Sequence, residues 1–264
     1  MKLRFILLCL LICLRASAAQ FTNLWPGAQV VAGDQFAVSF GGGGGGGGGG
    51  GTGLPTATLQ FYYETTNISL ADNTPFGTSV WLDQSGNGRN ASNGAGSSAY
   101  YENNASYWLN GRPALFCFGS DVLLTNSLSA QPPVTVFCVC KQVSGGLFSI
   151  FDGGAGNTLK IYVNGNKVEV DKAGAVVVAN SGTFSSGNHV IVVTLDTSGN
   201  YAFYIDSDSA NGTGTSLQTY NAAKVMFGSA SGSYYLYSIG AYNTVLSGSD
   251  RTALVNYLKG EFGL

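Results

Sequence analysis

Short runs rich in apolar, β-branched and aromatic residues recur over most of the chain, and clusters of Gly, Asn, Asp and Ser separate the runs. Runs of this length between turn residues read as strands, whose successive side chains point to opposite faces. The pattern predicts strands over residues 114–118, 134–143, 147–151, 159–163, 167–170, 176–179, 189–195, 201–205 and 234–242. Asn164-Gly165 between two of these runs predicts a tight hairpin, because a type I′ turn needs positive φ and this pair tolerates it. Ser198-Gly199-Asn200 plays the same part between two further strands. Strands at this spacing, with no long helical period among them, predict an antiparallel sandwich or barrel.

One segment departs from this pattern. Over residues 246–258, Ala253, Leu254, Tyr257 and Leu258 recur at helical spacing. Ser247 or Ser249 supplies an N-cap, and Asp250 falls in the first turn, where a negative charge meets the positive end of the helix.

The first residues follow another logic. Lys2 and Arg4 precede an apolar run over 5–14, and small residues follow, ending in Ala16-Ser17-Ala18-Ala19. This is the layout of a secretory signal peptide over residues 1–19. The run falls well short of the roughly 20 residues that a membrane-crossing helix needs, so export with no transmembrane segment after signal cleavage is expected. Residues 20–40 form a short N-terminal segment with two candidate strands, over 29–31 and 36–40. These belong either to an attachment segment or to the main domain. Residues 41–51 are all glycine, which has no side chain to bury and much backbone entropy to lose. A flexible linker over 41–53 is expected, with the main domain over 54–264.

Composition narrows the function classes. With 45% apolar residues the chain can bury one sizeable core. With 10% charged residues, a net charge of −2 and a single histidine, it has no basic surface to neutralise phosphates, so nucleic acid is excluded as a partner. After signal cleavage three cysteines remain, Cys117, Cys138 and Cys140. Cys138 and Cys140 share one face of a strand and diverge too far to bridge each other. Either one of them reaches Cys117, or all three are reduced core thiols. No C-x-x-C pair supports a zinc site.

Five segments resemble the laminin-G-like jelly rolls of the concanavalin A-like lectin and glucanase superfamily. They are WLDQSGNGRNA (81–91), NGRPALFCFG (110–119), VTVFCVCK (134–141), GNHVIVVT (187–194), and a close formed by YNTVLSGSDR (242–251) and YLKGEFGL (257–264). The resemblance covers roughly residues 61–264 and implies an all-β, antiparallel jelly-roll β-sandwich with a short C-terminal helix. It implies no particular ligand, because one fold hosts many functions.

Candidate chemistry is sparse. Asp83, Asn87 and Asn90 concentrate side-chain oxygens in a glycine-rich turn, which suits either a Ca²⁺ ion or a loop bonded to its own backbone. The retaining glucanases of the resembled superfamily present a Glu-x-Asp-x-x-Glu pattern on one strand, and none of Glu64, Glu102, Glu169 and Glu261 sits in one. Glu169 and Asp171, two apart, are its nearest imitation and are expected to be solvated edge charges. His189 opens a strong strand and is expected to serve packing, as no nucleophile motif accompanies it. Rings and amides gather at Tyr101, Asn103, Asn104, Tyr107 and Trp108, in a segment expected to be an exposed loop. Rings of this kind stack on the C–H faces of sugars, and amides bond their hydroxyls. N-x-S/T sequons begin at Asn67, Asn90, Asn104 and Asn211. The expectation is a secreted or cell-surface, non-enzymatic module that binds an extracellular glycan or a surface protein, with calcium as a candidate cofactor. A structural or assembly module is the alternative, and a polysaccharide-cleaving enzyme is the weakest reading.

Overall fold

The computed structural model describes residues 53–93, 99–118, 123–125, 131–144, 146–152, 159–165, 167–172, 175–179, 185–215, 226–229 and 232–264, and the backbone of 28–31 and 37–40. The signal segment and the polyglycine run lie outside the described residues. The chain divides into two compact units, Met1–Gly50 and Gly51–Leu264. The described part of the first is an antiparallel pair, β1 (Ala28–Val31) with β2 (Ala37–Phe40).

The second unit is an antiparallel β-sandwich with one C-terminal helix. Strands are numbered along the chain. Sheet I holds β3 (Leu59–Glu64), β4 (Thr74–Pro75), β7 (Tyr100–Glu102), β8 (Ala114–Phe118), β10 (Val134–Ser144), β15 (Asn188–Leu195), β16 (Asn200–Ile205), β17 (Gly212–Thr215) and β19 (Ser233–Tyr242). Its order is β17-β16-β15-β10-β19-β8-β7-β4, and β3 also pairs with β19, beyond the end of β8. Sheet II holds β5 (Val80–Trp81), β6 (Ala91–Asn93), β9 (Leu123–Thr125), β11 (Leu147–Asp152), β12 (Leu159–Asn164), β13 (Lys167–Lys172), β14 (Ala175–Ala179) and β18 (Met226–Ser229). Its order is β14-β13-β12-β11-β18-β9-β6-β5. The nine strands predicted from short apolar runs between turn signals all form, within two residues at each end.

The unbroken apolar run in β10 follows from burial on both faces. Val136, Cys138 and Cys140 lie in the core between the sheets, while Phe137 and Val139 lie in a second cluster under the helix. That helix, α1 (Gly248–Phe262), begins at Ser247, whose Oγ accepts the Asp250 N–H at 3.2 Å. It ends at Gly263, which adopts φ +67°. Leu254, Val255, Leu258 and Phe262 are its buried residues, in one cluster with Val190, Val192, Tyr237 and Tyr242 of sheet I. A fully buried side chain of this size contributes about 1.5–3 kcal/mol. Arg112, paired with both Glu64 and Glu261, ties the helix to the sheet.

Turn chemistry is as predicted, with one shift of register. Asn164 stays paired with Lys167, so the β12–β13 turn starts at Gly165, at φ +58°. Asn110 and Gly111, at φ +51° and +76°, form a two-residue turn closed by paired hydrogen bonds between Leu109 and Arg112.

Cys117, Cys138 and Cys140 are reduced and buried, which decides between the two cysteine readings. Burial pushes the Cys138 thiol up, and the Cys140 thiol beside it adds to the effect. Glu169 and Asp171 are not solvated edge charges: they are 7% and 3% exposed. Their strand, β13, is flanked by β14, so it is not an edge, and Asn164 and Tyr162 donate hydrogen bonds to the two carboxylates.

Candidate functional site

Helix α1 covers only part of the outer face of sheet I. Where β7, β8 and the first half of β19 lie side by side, the outward positions carry rings. In β8, Leu115 and Cys117 point into the core, so Phe116 and Phe118 point out. Across the ladder Phe116 pairs with Tyr235 on one side and with Tyr100 on the other. Ring centroids are 5.0 Å apart for Phe116–Tyr235, 5.5 Å for Phe116–Phe118, 5.8 Å for Tyr100–Phe118 and 5.3 Å for Tyr107–Tyr235. Each such pair contributes about 0.5–1.5 kcal/mol beyond its area, so the rings brace one another.

The loop after β7 extends this face. Asn103 N–H donates to Asp72 Oδ1 at 2.7 Å, and Asn104 Oδ1 accepts the Ser106 N–H at 3.0 Å in an Asx turn. Tyr107 N–H donates to the Asn104 carbonyl at 2.9 Å, and the buried Tyr237 hydroxyl donates to the Tyr107 carbonyl at 3.2 Å. So held, the loop leaves Tyr107 and Trp108 39% and 42% exposed. Among the described residues Trp108 makes no ring contact, and its indole faces solvent. Glu102 points outward from β7, half-buried. Burial, and then the charge of Asp72, raise its carboxyl above the usual range. The Tyr235 hydroxyl is raised by burial first, then by Tyr107 and Glu102.

Of the residues expected here, Asn103, Asn104, Tyr107 and Trp108 are exposed together in one loop. Tyr101 is corrected: it is 3% exposed and belongs to the core, because β7 alternates and Tyr100 takes the outward position. Burial raises the Tyr101 hydroxyl. Phe116, Phe118 and Tyr235 were missed. The signal that finds them is period-two alternation from a known core residue such as Cys117.

The Asp83 loop is bonded to itself and to the strand beside it. Asp83 Oδ1 accepts the Tyr62 and Ser85 N–H groups at 3.0 and 2.9 Å, and Oδ2 accepts Ser85 Oγ and the Arg89 N–H at 2.8 and 2.9 Å. Asn90 Oδ1 accepts the Asp83 N–H at 2.9 Å, and Asn87 Nδ2 donates to the Leu59 carbonyl at 2.8 Å. These contacts close the free edge of β3. A calcium ion needs about 6–8 oxygens with free lone pairs, and here the Asp83 oxygens face N–H and O–H donors. The folded loop does not fit the ion, and no step below runs through calcium. No cluster of three or more His, Cys, Asp or Glu side chains that could hold a metal occurs among the described residues.

His189 lies between two oxygens. Its Nδ1 is 2.6 Å from Asp206 Oδ2, and its Nε2 is 2.9 Å from Ser185 Oγ. This is the order of an acyl-transfer relay, and sequence reasoning missed it because its three members come from separate turns and strands. The side chains also have structural work. Asp206 Oδ1 accepts the Val190 N–H at 2.8 Å, and Ser185 Oγ lies 3.3 Å from the Gly187 N–H that donates to it. The constellation joins the start of β15 to the end of β16.

No family model matches the chain, and no curated protein matches it. Solved structures of toxin binding domains have a similar fold. One, described under the dependence of botulinum neurotoxin type C cell entry on two ganglioside molecules, gives a TM-score of 0.57 at 14% identity, over 77% of this chain and 52% of that one. The binding domain of botulinum neurotoxin DC in complex with rat synaptotagmin II gives 0.57 at 12%, over 77% and 52%. The serotype D ligand binding domain in complex with N-acetylneuraminic acid gives 0.54 at 12%, over 76% and 51%. The chain spans about half the length of each. At these identities the likeness is one of fold.

Proposed function

We propose that this chain is an extracellular binding module that takes a glycan on the aromatic face of sheet I, with Trp108 and Tyr107 as its stacking platform. The observation that carries this reading is the placement of rings. Phe116, Tyr235 and Tyr107 brace one another on a sheet face that α1 leaves open, and the exposed indole of Trp108 follows in a hydrogen-bonded loop. Rigid rings offer large contact area at low entropic cost, and Asn103 and Asn104 beside them offer amides for hydroxyl groups. Two neighbours of similar fold support a glycan as the class of ligand only, as their descriptions name gangliosides and N-acetylneuraminic acid, both of which are acidic. Kinship with laminin-G-like domains, and export by the segment 1–19, belong to the same reading. So does a non-catalytic role, which the toxin binding domains of similar fold support.

Binding of the full chain to a glycan array is the test. Saturable binding to one glycan class, lost in Trp108→Ala with unchanged circular dichroism, supports the reading. Absence of binding together with concentration-dependent self-association would sink it in favour of an assembly module.

A further inference from the structure

The charges around the rings say which glycans suit this face. Glu102 is adjacent in the chain to the loop that carries Trp108; it lies on the same outward face of β7 as Tyr100, and its partner across the ladder is Ala114 of β8, two residues before Phe116. Asp72 is bonded to the Asn103 N–H at the base of the same loop. Two carboxylates therefore stand on the β7 side of the platform. Lys141 stands opposite Tyr235 on β10, the strand on the far side of β19 from β8 and β7. Both acids act beyond their own positions: Asp72 raises the Glu102 carboxyl after burial does, and Glu102 helps raise the Tyr235 hydroxyl.

A saccharide stacked on Trp108 and Tyr107 meets this acidic side first. A neutral sugar loses nothing there, since its hydroxyls donate hydrogen bonds to carboxylates. A sugar acid brings a third negative charge beside two carboxylates, and like charges placed together across an interface oppose binding. Resting on the glycan reading above, we infer that the aromatic face selects neutral saccharides and rejects sialylated ones, with Glu102 and Asp72 beside the Trp108 loop as the discriminating pair.

The test uses the full chain against matched oligosaccharides with and without terminal sialic acid, at low and high salt. Wild type is expected to bind the neutral member of each pair about tenfold more tightly at low ionic strength, with the ratio shrinking in high salt. Glu102→Gln is expected to narrow the ratio, improving the sialylated ligand more than it changes the neutral one. Trp108→Ala is expected to weaken both. Equal or tighter binding of the sialylated member, lost in Lys141→Gln, would overturn the selectivity and leave the glycan reading standing. Failure of wild type to bind either member would overturn both.

Discussion

Phe116 and Tyr235 stand side by side on the outer face of sheet I, their centroids 5.0 Å apart, while their chain neighbours Cys117 and Tyr234 point into the sandwich core. One register thus divides four apolar residues between two destinations. The inward pair holds the sheets together, and the outward pair supports the candidate site.

The two pairs are expected to respond differently to truncation. Leu115→Ala, in the core beside Cys117, is expected to cost about 2–5 kcal/mol in denaturant unfolding. Tyr235→Ala is expected to cost much less stability and to weaken glycan binding. Comparable stability losses at the two positions would show that the outer face is as structural as the core.

Gly240 lies where β19 crosses beneath Phe137. A Cβ placed there would sit 2.3 Å from the Phe137 ring and 2.8 Å from the Phe61 carbonyl. Because one of these is backbone, Gly240→Ala is expected to destabilise by about 1–3 kcal/mol through overpacking. Chemical denaturation reads the effect, and a wild-type midpoint would mean the strands part easily.

Asp206 serves His189 with one oxygen and the Val190 N–H with the other. Asp206→Ala leaves both donors without this partner and is expected to cost about 1–3 kcal/mol. Ser185→Ala is expected to change stability little and glycan binding not at all. Covalent labelling of Ser185 by a fluorophosphonate, abolished in Asp206→Ala, would instead make the trio catalytic.

Glu102 contributes a pH dependence. Its folded carboxyl is raised by burial and then by Asp72, so its charged form is less favourable in the fold than in the unfolded chain. Its contribution is therefore fully present below the unfolded value, near 4.3, and is lost as pH rises through the raised folded value. Glu102→Gln is expected to stabilise the protein at neutral pH, with the gain vanishing below about pH 4. Melting curves across this range check the sign, and a gain that persists in acid would assign it to packing.

The Asp83 loop gives a prediction about metal. With its oxygens engaged by Tyr62, Ser85 and Arg89, neither calcium nor EDTA is expected to move the melting temperature. Asp83→Ala is expected to lower it, since Tyr62 and Arg89 lose their acceptor. A calcium-dependent rise that Asp83→Ala abolishes would restore the cation.

Much of the fold was legible because its signals are local. The apolar run at 189–195 and the aromatic run at 201–205 need no knowledge of partners, since short β-branched and aromatic runs bounded by turn residues read as strands by themselves. Ser247 and Asp250 marked the start of α1 for the same reason. The candidate site was legible in part. Asn103, Asn104, Tyr107 and Trp108 stood out as a polar and aromatic cluster, and they are exposed together. Tyr101 was misplaced because Tyr100 and Tyr101 are identical in chemistry, and only pairing with Leu115 decides that the second faces inward.

The sequence by itself determined strand positions, tight turns, the helix with its cap, and the absence of a basic surface, because each depends on neighbours within a few residues. Tertiary structure alone decided which side of each strand meets solvent. Alternating apolar residues such as Leu115 and Phe116 look alike until a second sheet covers one face and α1 stops short of the other. It also buried Glu169 and Asp171, by adding β14 beside their strand. And it brought Ser185 and Asp206 to His189, a contact made by β-sheet register across residues 17 apart in the chain for the acid.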